Sequence, residues 1–265
     1  MEGLSPRDVW VWVPPQYHQD PNARFPVIFM HDGQNLFIPE KAYTHVTWGV
    51  AETITKLSIW GFIRSAIVVG IDNTQNRFGD YLPRRPFETT EGEAHLERIR
   101  QEAPEDFEHG HFVADQYVHL IVDTIKPRID QDFRTLPDRE NTFVMGSSMG
   151  GLISLYALIE YPHIFGNAGC LSTHWPALGK LTDPYLQTYL PGAGKHRLYF
   201  DHGTGGLDAI YQQFQQEVDR ILRDKGYVYG KDWVTRMFPG AIHHEQAWRD
   251  RLHIVLRFLL GHPPK

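Results

Sequence analysis

Short apolar runs alternate along this chain with longer stretches of helical period, and no other feature constrains its fold as tightly. The runs cover Pro26–Met30, Ala66–Ile71, Thr142–Met145, Ala168–Leu171, Arg197–Phe200 and Val234–Phe238. Helical spacing fills Trp48–Leu57, Tyr117–Ile129, Leu152–Glu160, Asp208–Arg223 and Glu245–Leu260. Runs that are apolar on both faces suit strands covered on both sides, and helices between them supply the crossovers that parallel pairing needs. Val9–Val13 ends in Pro14-Pro15, which predicts an edge strand. The expected fold class is therefore α/β, with a mostly parallel central sheet and helices on both faces. Neither a repeat nor a Gly/Ser-rich linker divides the 265 residues, so residues 1–265 are expected to form a single domain.

One segment breaks the alternation. Residues 74–113 lack clean periodicity and mix acids (Glu88, Glu91, Glu93, Glu97, Glu102, Glu105, Asp106, Glu108) with rings (Phe78, Tyr81, Phe87, Phe107, Phe112). A connection of this length reads either as a lid over a site or as a plain surface excursion.

Composition narrows the function classes. With 42% hydrophobic and 22% charged residues, the chain has the balance of a globular protein rather than a disordered one. A net charge of −6 disfavours a nucleic-acid partner, which would call for a basic surface. No apolar run approaches the roughly 18 residues of a membrane span, and Met1–Asp8 has no basic and apolar leader pattern. A cytoplasmic protein is the resulting expectation. Cys170 is the only cysteine, which excludes an internal disulfide and any multi-cysteine metal site. Its apolar surroundings make it a core residue. His109-Gly110-His111 and His243-His244 are paired histidines without the spacing or extra ligands of a zinc motif. No metal and no cofactor are expected. Aromatic residues reach 13%, with 7 Trp, which hints at a ring-lined pocket.

Gly146-Ser147-Ser148-Met149-Gly150 has the form G-x-S-x-G. An apolar run precedes it and a helical pattern follows at once, so Ser148 falls on a tight strand-to-helix turn where glycines relieve steric clashes. A serine so placed becomes a nucleophile when a base removes its proton and an acid orients that base. On such a fold the acid and the base follow the serine in that order. The run ending at Phe200 leads into Asp201-His202-Gly203-Thr204-Gly205-Gly206-Leu207-Asp208, and the run ending at Phe238 leads into Pro239-Gly240-Ala241-Ile242-His243-His244-Glu245. Asp208 is preferred to Asp201 as the acid, although it could equally cap a helix. His243 is preferred to His244 as the base, with His202 and His174 as outside candidates. An oxyanion needs two donors: the Met149 N–H, and an N–H from His31-Asp32-Gly33-Gln34-Asn35, where Gln34 is the choice.

These segments together resemble the putative-esterase family of α/β-hydrolases, which includes esterase D-like enzymes, feruloyl esterases, enterochelin esterases and mycolyltransferases. The resemblance rests on Phe29–Phe37, Val68–Asn73, Met145–Gly151, Gly203-Thr204 with Asp208, and His243-His244-Glu245 with Trp248. It implies an α/β-hydrolase fold. It also implies the base at His243, in a His-x-Glu-x-x-Trp pattern, and the acid at Asp208. Ser172-Thr173-His174-Trp175 matches a segment that often lines the pocket in this family. The chain departs from typical members in lacking a clear N-terminal strand pair, which leaves an incomplete sheet edge or a partner covering it as the expectation.

The function expected is hydrolysis of a small or aromatic acyl ester by Ser148, His243 and Asp208 through an acyl-enzyme. Trp175, His174, Trp248 and Tyr81 are the expected pocket residues, and a small-molecule ester is the expected partner. An acyltransferase with the same three residues, or a non-catalytic binding module on the same fold, are the alternatives.

Overall fold

In the computed structural model, residues 4–102 and 112–262 are described. Seven strands form one sheet: β1 (Val9–Trp12), β2 (Val27–His31), β3 (Ile67–Ile71), β4 (Thr142–Ser147), β5 (Asn167–Leu171), β6 (Arg197–Gly203) and β7 (Trp233–Phe238). Their order is β1-β3-β2-β4-β5-β6-β7. β1 runs antiparallel to β3 and pairs Val9 with Ile71 and Trp12 with Val68. All other neighbours are parallel. The chain starts at the edge with β1, enters the parallel sheet at β2, steps back to β3 between them, then crosses to β4 and proceeds outward to β7. A mostly parallel α/β sheet with one antiparallel edge strand is the fold the apolar runs predicted.

The helices are α1 (Pro15–Gln19), α2 (Val50–Ile59), α3 (Arg77–Tyr81), α4 (Thr90–Glu102), α5 (Ala114–His119), α6 (Lys126–Asp132), α7 (Met149–Glu160), α8 (Thr182–Tyr189), α9 (Tyr211–Asp224) and α10 (Glu245–Leu260). Side-chain alternation along the strands divides the core. Val27, Phe29, Val69 and Val144 face one layer with α5 and α7, while Ile28, Met30, Val68 and Met145 face the other with α2 and α10. α7 is buried from Met149 through Ile159, so its apolar residues run all the way round.

Two sequence expectations change in detail. The helix expected over Tyr117–Ile129 extends from Ala114 to Asp132, with a π-helical segment at Leu120–Ile125 between α5 and α6. Pro127 lacks an N–H, and a wider turn just before it absorbs the missing bond. The stretch beginning at residue 74 is not featureless. It forms α3, a 3₁₀ turn at Arg85–Phe87, and α4. Its periodicity is weak because few side chains anchor it: Tyr81, Leu82, Phe87 and Leu96 are buried in the main core, and the rest is polar. The acids Glu105, Asp106 and Glu108, with Phe107 and the His109/His111 pair, lie outside the described residues.

A segment tied down in this way behaves as part of the domain. Phe87→Ala should therefore lower global stability by about 3–5 kcal/mol in urea unfolding. A loss below about 1 kcal/mol would mean that the segment opens independently.

Candidate active site

Six of the seven strands end at the same edge of the sheet, and the loops leaving those ends converge, as in other open α/β folds. The turn after β4 carries Ser148 at φ 58°, ψ −123°, a strained backbone for a non-glycine residue. Packing holds it there. The Ser148 N–H donates to the Leu171 carbonyl at 2.9 Å, and the Ser148 carbonyl accepts from Gly151, Leu152 and His174. A Cβ on Gly146 would sit 2.7 Å from the Gly150 carbonyl carbon, so only glycine fits there.

The loop after β6 brings Asp208 to the loop after β7. Asp208 Oδ1 lies 2.6 Å from His243 Nδ1. Its other oxygen accepts the Ser172 hydroxyl at 2.7 Å and the Gly203 N–H at 2.6 Å. Burial pushes the Asp208 carboxyl up, but the bonds from His243, Ser172 and Gly203 outweigh burial and hold it below the ordinary carboxylate value. A charged carboxylate only accepts, so His243 Nδ1 carries the proton and Nε2 is left unprotonated in the neutral ring. The His243 ring stands edge-on to Trp248 and Tyr211, at centroid distances of 5.0 and 5.8 Å.

The rival candidates have other partners. Asp201 is fully buried and accepts from Arg251 at 2.8 Å and from the Ser172 N–H. His244 caps α10 by accepting the Gln246 N–H. His202 bonds the neighbouring Gly203 carbonyl.

Ser148 and His243 line a cavity of about 480 Å³ with Gln34, Arg77, Glu245 and Trp248 among the other walls. Met149 opens α7 and Gln34 sits in a 3₁₀ turn at Gly33–Asn35. Amides at such positions have no intrahelical acceptor. Asp32 initiates this turn at φ 57°, and a Cβ on Gly33 would lie 2.6 Å from the Gly70 backbone. Arg77 clamps Asp32 with two bonds of 2.7 and 2.8 Å, and Asn73 adds a third at 2.6 Å.

Trp248 is on the cavity wall, but the other three expected pocket residues, Trp175, Tyr81 and His174, are not. Trp175 is 1% exposed. It packs against Phe200 and donates to Gln215 beneath α9, because the 3₁₀ turn after β5 points its ring into the core. Tyr81 is fully buried and its phenol oxygen accepts the Asp32 N–H, so it supports the Gly33–Asn35 turn from below. His174 is half-buried, and its Nδ1 lies 2.7 Å from the Tyr211 phenol. Burial, then the nearby His243 and Arg77, lower the His174 pKa to about 4, so its ring is neutral at pH 7. Sequence reasoning missed Arg77, Tyr211, Arg251 and the bridging role of Ser172. Arg77, Tyr211 and Arg251 lie in no motif, whereas Ser172 opens the Ser172–Trp175 segment and Asn73, at the end of a strand run, was within reach. Among the described residues no group of three or more His, Cys, Asp or Glu side chains is arranged to hold a metal ion.

Residues 5–259 match the family described as "Putative esterase". The chain belongs to that esterase family, and its class of chemistry is carboxylic ester hydrolysis. A protein of Bacillus subtilis (strain 168) named YbbA, described as uncharacterized, is 20% identical over 255 residues, covering 95% of this esterase and 91% of that protein. An IroE-like serine hydrolase from Shewanella oneidensis superposes with a TM-score of 0.70 at 20% identity, over 96% of this chain and 75% of that one. A ferulic acid esterase superposes with a TM-score of 0.66 at 15% identity, over 97% and 93%. At these identities the two structures establish a shared fold. No helix among the described residues is long and apolar enough to cross a membrane.

Two outcomes follow for this esterase. Gly146→Ala should destabilise it by about 1–3 kcal/mol through overpacking at the turn, measured by thermal or urea unfolding. The depressed Asp208 carboxyl stabilises the fold above its unfolded value of about 3.9, and that contribution is lost as pH falls through the lower folded value. The stability gap between the wild type and Asp208→Asn should accordingly shrink as the pH falls below about 4. A gap independent of pH in that window would contradict the assignment of the buried charge.

Proposed function

We propose that this esterase is a serine hydrolase in which Ser148 is the nucleophile, His243 the general base and Asp208 the orienting acid. The observation that carries the reading is the 2.6 Å contact between His243 and the buried Asp208 carboxylate, beside the strained Ser148 in one cavity. In this reading Ser148 Oγ attacks the ester carbonyl carbon while its proton passes to His243 Nε2. Asp208 stabilises the imidazolium that forms. The amides of Met149 and Gln34 receive the oxyanion. Collapse breaks the bond to the alcohol, which leaves with the proton from His243. Water then attacks the acyl-enzyme by the same route and frees Ser148 and the acid.

The substrate proposed is an ester of a small or aromatic acid. The rings of Tyr43 and Trp248 supply flat apolar wall, while Gln34, Asn73, Thr74 and Arg77 supply polar groups to a cavity of modest size. The ferulic acid esterase of the same fold is named for an aromatic acid.

The test is initial rates on p-nitrophenyl esters from acetate to decanoate, with methyl ferulate alongside. Ser148→Ala and His243→Ala should each lower kcat by about 10⁴-fold or more. Asp208→Asn should lower it by about 10³–10⁴-fold. Asp201→Asn should act mainly on stability, costing about 3 kcal/mol by leaving the buried Arg251 charge without its partner. Equal kinetic losses at Asp201 and Asp208 would overturn the choice of acid. An unlabelled Ser148 after treatment with a fluorophosphonate would overturn the nucleophile.

A further inference from the structure

A second cavity, of about 460 Å³, opens at the opposite end of the sheet, where β5 and β6 begin and β7 is entered. The length of β5, about 17 Å, separates this end from the edge that carries Ser148. Its walls include Arg64, Lys195, Arg197 and Lys231. The carboxylates there are Glu140 and Asp232. Glu140 is already paired with Arg139 at 2.5 Å, and Asp232 accepts the Val228 N–H at 3.0 Å. Among the described residues none of the four cations forms an ion pair. A chain of net charge −6 thus gathers four cations against two carboxylates in one concave place.

The two arginines are the unusual members. Both are half-buried. Arg64 donates to the Asn141 side-chain carbonyl at 2.6 Å. Arg197 donates to the Leu259 carbonyl at 3.3 Å and lies over the Phe258 ring. A guanidinium has five N–H donors, so these neutral partners leave most of them unused. The C-terminus of α10 provides some compensation, because the carbonyls of Leu259 and Leu260 face this region. A helix end, however, is worth about half a negative charge, which cannot balance two arginines and two lysines. Burial disfavours the charge on both arginines, Arg64 adds to that effect at Arg197, and the attraction of Asp138 for Arg64 and of Asp232 for Arg197 offsets it only in part. His196 supplies an independent sign. It lines the same cavity, is 4% exposed, and its buried Nδ1 has no protein hydrogen-bond partner.

We propose that this cavity binds a small multivalent oxyanion, a free phosphate or the phosphate group of a small metabolite, between Arg64 and Arg197. The bound anion takes the unused guanidinium donors, with Lys195 and Lys231 at the rim and the His196 Nδ1 beside it. Planar forks facing a phosphate make charge-assisted, paired bonds. The site is separate from the cavity at Ser148, so its occupancy stabilises the fold without requiring ester turnover.

The experiment compares thermal unfolding of the full chain in sodium phosphate and in sodium chloride at matched ionic strength and pH. Titration calorimetry with inorganic phosphate runs alongside. Wild type should gain about 2–4 °C in saturating phosphate. Arg64→Gln and Arg197→Gln should each weaken phosphate binding by about tenfold or more and remove the gain. In chloride the variants should melt no lower than wild type by more than about 2 °C, since each relieves repulsion between facing cations. Ser148→Ala should keep the full response, which separates this proposal from the proposed hydrolysis. Equal stabilisation by phosphate and chloride would overturn it. So would a phosphate response that survives in both arginine variants, which would place the ion elsewhere. If the substitutions lowered the melting temperature equally in both salts and left the phosphate gain intact, the arginines would be purely structural.

Discussion

The Asp208 carboxylate is the interaction on which the rest of the site depends. It is fully buried, and an unpartnered charge there would cost the fold several kcal/mol. Three donors from three different loops remove that cost. They are His243 after β7, Ser172 after β5 and the Gly203 N–H at the end of β6. Satisfying one charge therefore fixes the relative positions of three strand ends. Ser172 extends the network, since its oxygen also accepts from Trp248 and Arg251, and Arg251 reaches on to Asp201. These bonds tie α10 to the end of β5 and accompany the edge-on packing of Trp248 on His243.

A second constraint acts on the other side of the cavity. Gly33 lies directly against the β3 backbone, which draws the turn after β2 tightly over the sheet. Asp32 takes a left-handed backbone there and is held by Arg77 and Asn73. The Arg77 side chain comes from α3, the first helix of the segment that begins at residue 74. That segment thus contributes to the cavity by clamping the turn that carries Gln34. Below the clamp, His31 bonds Tyr117 at 2.6 Å, and burial lowers its pKa to about 3, so a neutral imidazole sits beside the Asp32 charge.

Much of this was legible in residue order. Each of the seven strands overlaps a predicted apolar run, because strands covered on both faces must be apolar throughout. The helices α2, α7, α9 and α10 were visible because long elements show their period over several turns. α3 and α8 were not, being too short to show a period, and neither was the 13-residue α4, a polar helix that buries little beyond Leu96. Ser148, Asp208 and His243 stood out because each lies on a loop that follows a strand run, in a fixed order, with Ser148 inside a Gly-x-Ser-x-Gly pattern and His243 beside a second histidine. Trp175 and Tyr81 were expected on the pocket wall and lie instead in the core. Sequence position reveals which loop a residue occupies, but not the direction in which a side chain leaves it.

The sequence by itself determined the α/β class, the strand-to-helix turn at Ser148 and the edge of the sheet at which a site would form. These depend on local period, on glycine and on the rule that parallel strands end on the same side. Tertiary structure alone decided that Asp208 rather than Asp201 faces His243. It also decided that Arg77 closes onto Asp32, that Tyr211 meets His174, and that Arg64 and Arg197 line one cavity at the far end. Each of those pairs joins residues distant in sequence. Such a contact is set by packing and by the burial of charge, which leave no spacing to read along the chain.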